Sequence, residues 1–61
     1  MTDTFKMGDY YIDSRELDNG WYELSTMAYS AGEWYRVHKR YDYKPLERDL
    51  RDFVQYVEGT R

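Results

Sequence analysis

The chain has no cysteine, one proline and four glycines, and its 61 residues hold only one Ile, four Leu, three Val and two Phe. Without cysteine there is no disulfide framework, no thiolate nucleophile and no Cys-based zinc site, which fits a reducing compartment. No apolar run exceeds three residues, far short of the roughly 20 that a membrane-spanning helix needs. The first residues lack the basic flank and apolar stretch of a secretion signal. These absences lead us to expect a cytoplasmic protein with no membrane partner. A chain near 60 residues buries only about 60% of the surface its unfolded form exposes, so it has room for one domain and none for a large enclosed active site.

Aromatic side chains stand in for the missing aliphatics: eight Tyr, two Trp and two Phe. Each buries about 150 to 250 Å², and Tyr and Trp keep a polar handle. Low aliphatic content signals disorder only when joined to high net charge, and here the net charge is -3. We therefore expect a folded domain with a small, tyrosine-rich core.

The pattern along the chain predicts an α+β fold, a three-stranded antiparallel β-meander packed on one C-terminal α-helix. Residues 1–8 show no periodicity and read as an N-terminal arm, preceding a single domain over 9–61. Three β-type runs follow, Tyr10 to Ile12, Trp21 to Tyr29 and Glu33 to Tyr41, separated by Asp18-Asn19-Gly20 and Ser30-Ala31-Gly32. Both separators supply a glycine able to take positive φ. Pro45 suits the first turn of a helix, Leu46, Leu50, Phe53, Val54 and Val57 recur as one helical stripe, and Gly59 marks its stop.

Charge selects the register of the first hairpin. A two-residue Asn19-Gly20 turn would oppose Glu16 and Glu23, a like-charge pair. A three-residue loop with left-handed Gly20 instead opposes Arg15 and Glu23 and sets Ile12 against Thr26. A two-residue Ala31-Gly32 turn then opposes Glu23 to Arg40, Thr26 to Val37 and Tyr22 to Tyr41. One face carries Tyr10, Ile12, Tyr22, Leu24, Ala28, Tyr35, Val37 and Tyr41 toward the helix.

Period two sends Tyr11, Asp13, Arg15 and Leu17, then Trp21, Glu23, Met27 and Tyr29, then Trp34, Arg36, His38 and Arg40 to the other face. One helix cannot cover both faces. Aromatics, Met and Arg together match the composition of interface hot spots, so Trp21, Met27, Tyr29, Trp34, Arg36, His38 and Arg40 are the candidate partner-binding residues. The competing reading is structural: the arm folds over this face, or the rings merely shield a thin sheet. Residues 1–33 carry a net charge of -5 and residues 34–61 a net charge of +2, which makes the third strand and its exit locally basic. That run equally suits an edge strand guarded against aggregation.

Catalytic chemistry has little to stand on. His38 is the sole histidine, and the sequence offers no nucleophile motif to complete it. The acids of the predicted helix alternate with Arg48 and Arg51, with Glu47 and Arg51 set as an i, i+4 pair. The glycines sit singly, so no phosphate loop is present. No cofactor and no metal are implied. We expect a non-enzymatic protein-binding module whose partner is another protein or a second copy of itself; in size and composition the chain resembles the inhibitors that phages and other mobile elements encode against host enzymes. The alternative is nucleic-acid binding through the sheet. Three strands and a helix, with Gly20-Trp21, Gly32, Lys39-Arg40-Tyr41, Lys44 and Pro45, look like the N-terminal arm-binding domains of tyrosine recombinases and plant AP2 domains, which lay such a sheet in the major groove. That resemblance implies DNA contacts from Arg36 and Arg40, with Trp21 and Trp34 buttressing. Those sheets are strongly basic, whereas here the middle strand carries Glu23 and no base.

Overall fold

The computed structural model describes residues 2–60, and the turns within it decide the topology. Gly8 (φ 61°) opens a two-residue turn through Asp9, Gly20 (φ 85°) closes the three-residue loop from Asp18, and Ala31 (φ 53°) with Gly32 (φ 81°) forms a turn left-handed at both central positions. The order is β1 (Thr2–Met7), β2 (Tyr10–Glu16), β3 (Tyr22–Ser30), β4 (Glu33–Tyr41) and α1 (Glu47–Gly59). All four strands form one antiparallel sheet in sequence order.

The fold is α+β with a β-meander and a C-terminal helix, but it has four strands, where the sequence led us to expect three. Residues 2–7, read as an arm, pair along β2 from Thr2–Arg15 to Met7–Tyr10. Alternation in Thr4, Phe5, Lys6 and Met7 is too short to stand out, yet Gly8-Asp9 is a hairpin turn with glycine at its first central position. Because β1 extends the sheet sideways, it leaves the outer face uncovered.

The other registers follow the charge argument. Arg15 lies opposite Glu23, Glu23 opposite Arg40, Thr26 opposite Val37 and Tyr22 opposite Tyr41. The loop is closed by Leu17 N–H donating to the Trp21 carbonyl (2.7 Å) and Gly20 N–H to the Leu17 carbonyl (3.0 Å). The expected opposition of Ile12 and Thr26 is not a register pair, since pairing of β2 with β3 ends at Asp13–Ser25.

The core lies between the sheet and α1: Tyr10, Ile12, Leu24, Ala28, Val37 and Tyr41 meet Leu50, Phe53 and Val57, with Met7, Tyr35 and Val54 partly buried around them. Tyr22, expected inside, is half-buried. Leu46 departs from the expected stripe: it is the residue before the helix and stays exposed. Pro45 precedes it, so helix entry is fixed by Asp49. Its carboxylate accepts the Leu46 N–H (2.8 Å) and the Tyr43 hydroxyl (2.9 Å), which holds Asp49 below and Tyr43 above their ordinary pKa values. Such a bond satisfies a backbone donor at the helix start. On the solvent side Arg51 pairs with Glu47 at 3.1 Å, and the Lys39 ammonium reaches over the Tyr41 and Tyr56 rings. A hollow of about 650 Å³ remains between β1 and the start of α1, beside Phe5, Met7, Leu46 and Leu50. No helix among the described residues is long and apolar enough to cross a membrane.

Candidate functional site

The registers sort the outer face into rows running across the strands. Arg15, Glu23 and Arg40 form one row. Thr4, Asp13, Ser25 and His38 form the next. Beyond Ser25 the β1–β2 and β3–β4 hairpins part, and the Thr26 hydroxyl donates to the Tyr11 carbonyl (2.8 Å) near the point of divergence. A cleft of about 440 Å³ lies over this fork. Tyr11 and Asp13 line its β2 side, Met27 and Ser25 its floor, and Trp34 and Arg36 its β4 side, with Asp9 at the hairpin tip.

The rings at this end have no cover. Trp34 and Tyr11 are 66% and 64% exposed, and Met27 and Tyr29 are close to half exposed. Tyr29 and Trp34 are opposite each other in the register, and their rings meet edge to face at 5.2 Å between centroids. That geometry suits the ring quadrupoles and braces Trp34, which lines the cleft.

The other end of the face is electrostatically closed. Glu23 is only 8% exposed although it points away from the core. Arg15 and Arg40 each approach its carboxylate at 3.3 Å, and His38 Nδ1 lies 3.8 Å away. Burial alone would raise the Glu23 pKa, but hydrogen bonds from Arg40 and Arg15 and their charge outweigh it and hold the group below its ordinary value. An arginine–carboxylate pair of this kind is charge-assisted, so Glu23 neutralises much of the basic character expected of β4.

Of the residues selected from sequence, the structure therefore gathers Met27, Trp34 and Arg36 at the cleft, with Tyr29 beside it against the Trp34 ring. His38 and Arg40 belong to the Glu23 group instead, because the register sets them beside that carboxylate. Trp21 precedes β3, where its N–H bonds the Asn19 side chain (3.0 Å), about 26 Å along the strand from Tyr29 at 3.3 Å per residue. Tyr11 was placed on this face but not selected, yet with Asp9 and Asp13 it forms the opposite wall; reading the row through Met27 and Arg36 across to β2 would have found it. Among the described residues no cluster of three or more His, Asp or Glu side chains is placed to hold a metal ion. No known protein family, curated protein or solved structure matches the chain.

Proposed function

We propose that this is a non-enzymatic, cytoplasmic protein-binding module, an inhibitor or adaptor, that engages its partner through the aromatic cleft of the outer sheet face. The observation that carries this reading is the uncovered group of Tyr11, Met27 and Trp34 lining a hollow with charged walls, with Tyr29 against Trp34 beside it. Hydrophobic surface of that kind, rimmed by charge, marks interaction sites, and aromatic anchors in a cleft dominate binding energy.

Nucleic-acid binding is the weaker reading. Two of the three outward arginines are held by Glu23, and Asp9 and Asp13 flank the cleft, so the face offers little attraction for a phosphate backbone. Affinity capture with the full chain as bait separates the two. A partner held by the wild type and by Arg51→Ala, but lost from Trp34→Ala and Tyr11→Ala, supports the cleft as the binding surface. Equal capture by all four baits overturns it, and salt-sensitive retention on nucleic-acid resin supports the alternative.

A further inference from the structure

The outer face is complementary to itself, and we propose that its partner is a second copy of this chain, packed face to face about a two-fold axis running along β3. The proposal rests on the reading of this face as a binding surface. An axis along β3 brings β4 of one copy over β2 of the other while keeping each row level. Arg36, which shares a row with Met27, then lies over Tyr11 of the other copy. Asp9 and Asp13 stand two residues to either side of that tyrosine, about 7 Å along the strand. His38 lies over Asp13, since the Asp13–Ser25 and Ser25–His38 pairs share one row. Met27 meets Met27, and Trp34 is directed to the fork between the other copy's hairpins.

The charges argue for this occupant. Among the described residues, the ion pairs on this face are those of Arg15 and Arg40 with Glu23, whose carboxylate also lies 3.8 Å from His38 Nδ1. Arg36 and the two aspartates line opposite walls of the same cleft with no ion pair to each other. The two-fold operation supplies each with its opposite, as an isologous interface requires. An arginine stacked on a tyrosine ring beside a carboxylate gains both cation–π and charge attraction. The Arg15–Glu23–Arg40 row carries a net positive charge and would meet its own copy, which confines the contact to the half of the face nearest the hairpin tips.

That half is small. With the axis along β3 only β2, β3 and β4 overlap their counterparts, and three strands at about 4.8 Å spacing over about 20 Å of strand give a footprint of roughly 300 Å² per copy, below the roughly 800 Å² per partner of a standard interface. The dimer is accordingly of the weak, transient class and is populated only at high protein concentration.

Sedimentation equilibrium of the full chain, taken to about 1 mM, tests this. The expected result is a reversible monomer–dimer equilibrium that Trp34→Ala, Arg36→Asp and Asp13→Arg each weaken by about tenfold or more. An equimolar mixture of Arg36→Asp and Asp13→Arg should regain association, because only the mixed dimer sets opposite charges together at both sites. Failure of the mixture to associate while the wild type dimerises overturns the pairing, and so does a dimer indifferent to all three changes. A wild type that stays monomeric throughout overturns self-association but not the binding surface, which the capture experiment decides separately. Should circular dichroism show Trp34→Ala unfolded, the two charge variants and their mixture still decide the matter.

Discussion

The two faces of the sheet use the same strands and the same period of two, yet they bury opposite kinds of side chain. Against the helix, Ile12, Leu24, Phe53 and Val57 are almost wholly withdrawn from solvent, as apolar surface removed from water should be. On the outer face the order is inverted: Glu23 and Ser25 are buried while Trp34 and Tyr11 stand in solvent. Burial there follows from reach rather than hydrophobicity, because long arginines close over a short carboxylate and nothing closes over the rings. The contrast teaches that apolar burial organises one face and charge pairing the other. The largest expected effect falls on the first: Phe53→Ala should cost about 2 to 5 kcal/mol through lost transfer energy and a cavity, much of the stability of so small a domain. Urea denaturation followed by circular dichroism measures it, and a native-like midpoint would mean that α1 does not close the core.

Glu23 joins the two faces, and its loss should be the next largest. Glu23→Ala removes three contacts from the middle of the sheet, but both arginines are more than half exposed, so screening limits the cost to about 1 to 2 kcal/mol. The pH dependence has a definite sign. The folded Glu23 pKa lies below the ordinary 4.5, so its contribution is full above 4.5 and is lost as pH falls through the lower folded value. Glu23→Gln should flatten that acid limb. On the helix side, burial and the nearby Asp49, Tyr43 and Asp52 push Tyr41 up to about 12 from 10.0. The unfolded chain ionises first, so stability should fall between pH 10 and 12, and Tyr41→Phe should reduce that fall. Denaturant titrations across both ranges check each sign.

The legibility of the molecule divides along the same line. The helix stripe, the β3–β4 register and the Arg15–Glu23–Arg40 row could all be read from the chain, because hydrophobic period, turn glycines and opposed charges are local signals. β1 left only the Gly8-Asp9 turn as its mark, since a six-residue edge strand with mostly exposed side chains carries no burial pattern to detect. The fork at Thr26 was equally invisible: the register predicted a continuing ladder, and the end of pairing at Asp13–Ser25 is a tertiary event without a sequence mark. Of the site, the rings and Arg36 were legible from alternation. Its acidic wall depended on where the two hairpins separate.

A gain in stability should come from the tip between β3 and β4, remote from the core. Ala31 sits at φ 53°, a left-handed conformation costing a residue with a Cβ roughly 1 to 2 kcal/mol. Glycine removes that strain and returns part of it as greater freedom in the unfolded chain, so Ala31→Gly should stabilise by about 0.5 to 1 kcal/mol. A lower denaturation midpoint would mean that the turn is relaxed in solution and that alanine is the better residue there.

The smallest effect is the one that matters most to the contrast between the faces. Trp34→Ala removes a ring that is two-thirds exposed and that meets, among the described residues, the ring of Tyr29, itself half exposed. An aromatic pair at the surface contributes at the low end of its range, so the loss in stability should be about 0.5 kcal/mol. A domain that melts like the wild type without this tryptophan has no folding use for it, as the proposed binding role of the cleft requires. A loss of several kcal/mol would place Trp34 in the solution core and show that the outer face is closed by packing, in which event the difference between the two faces disappears.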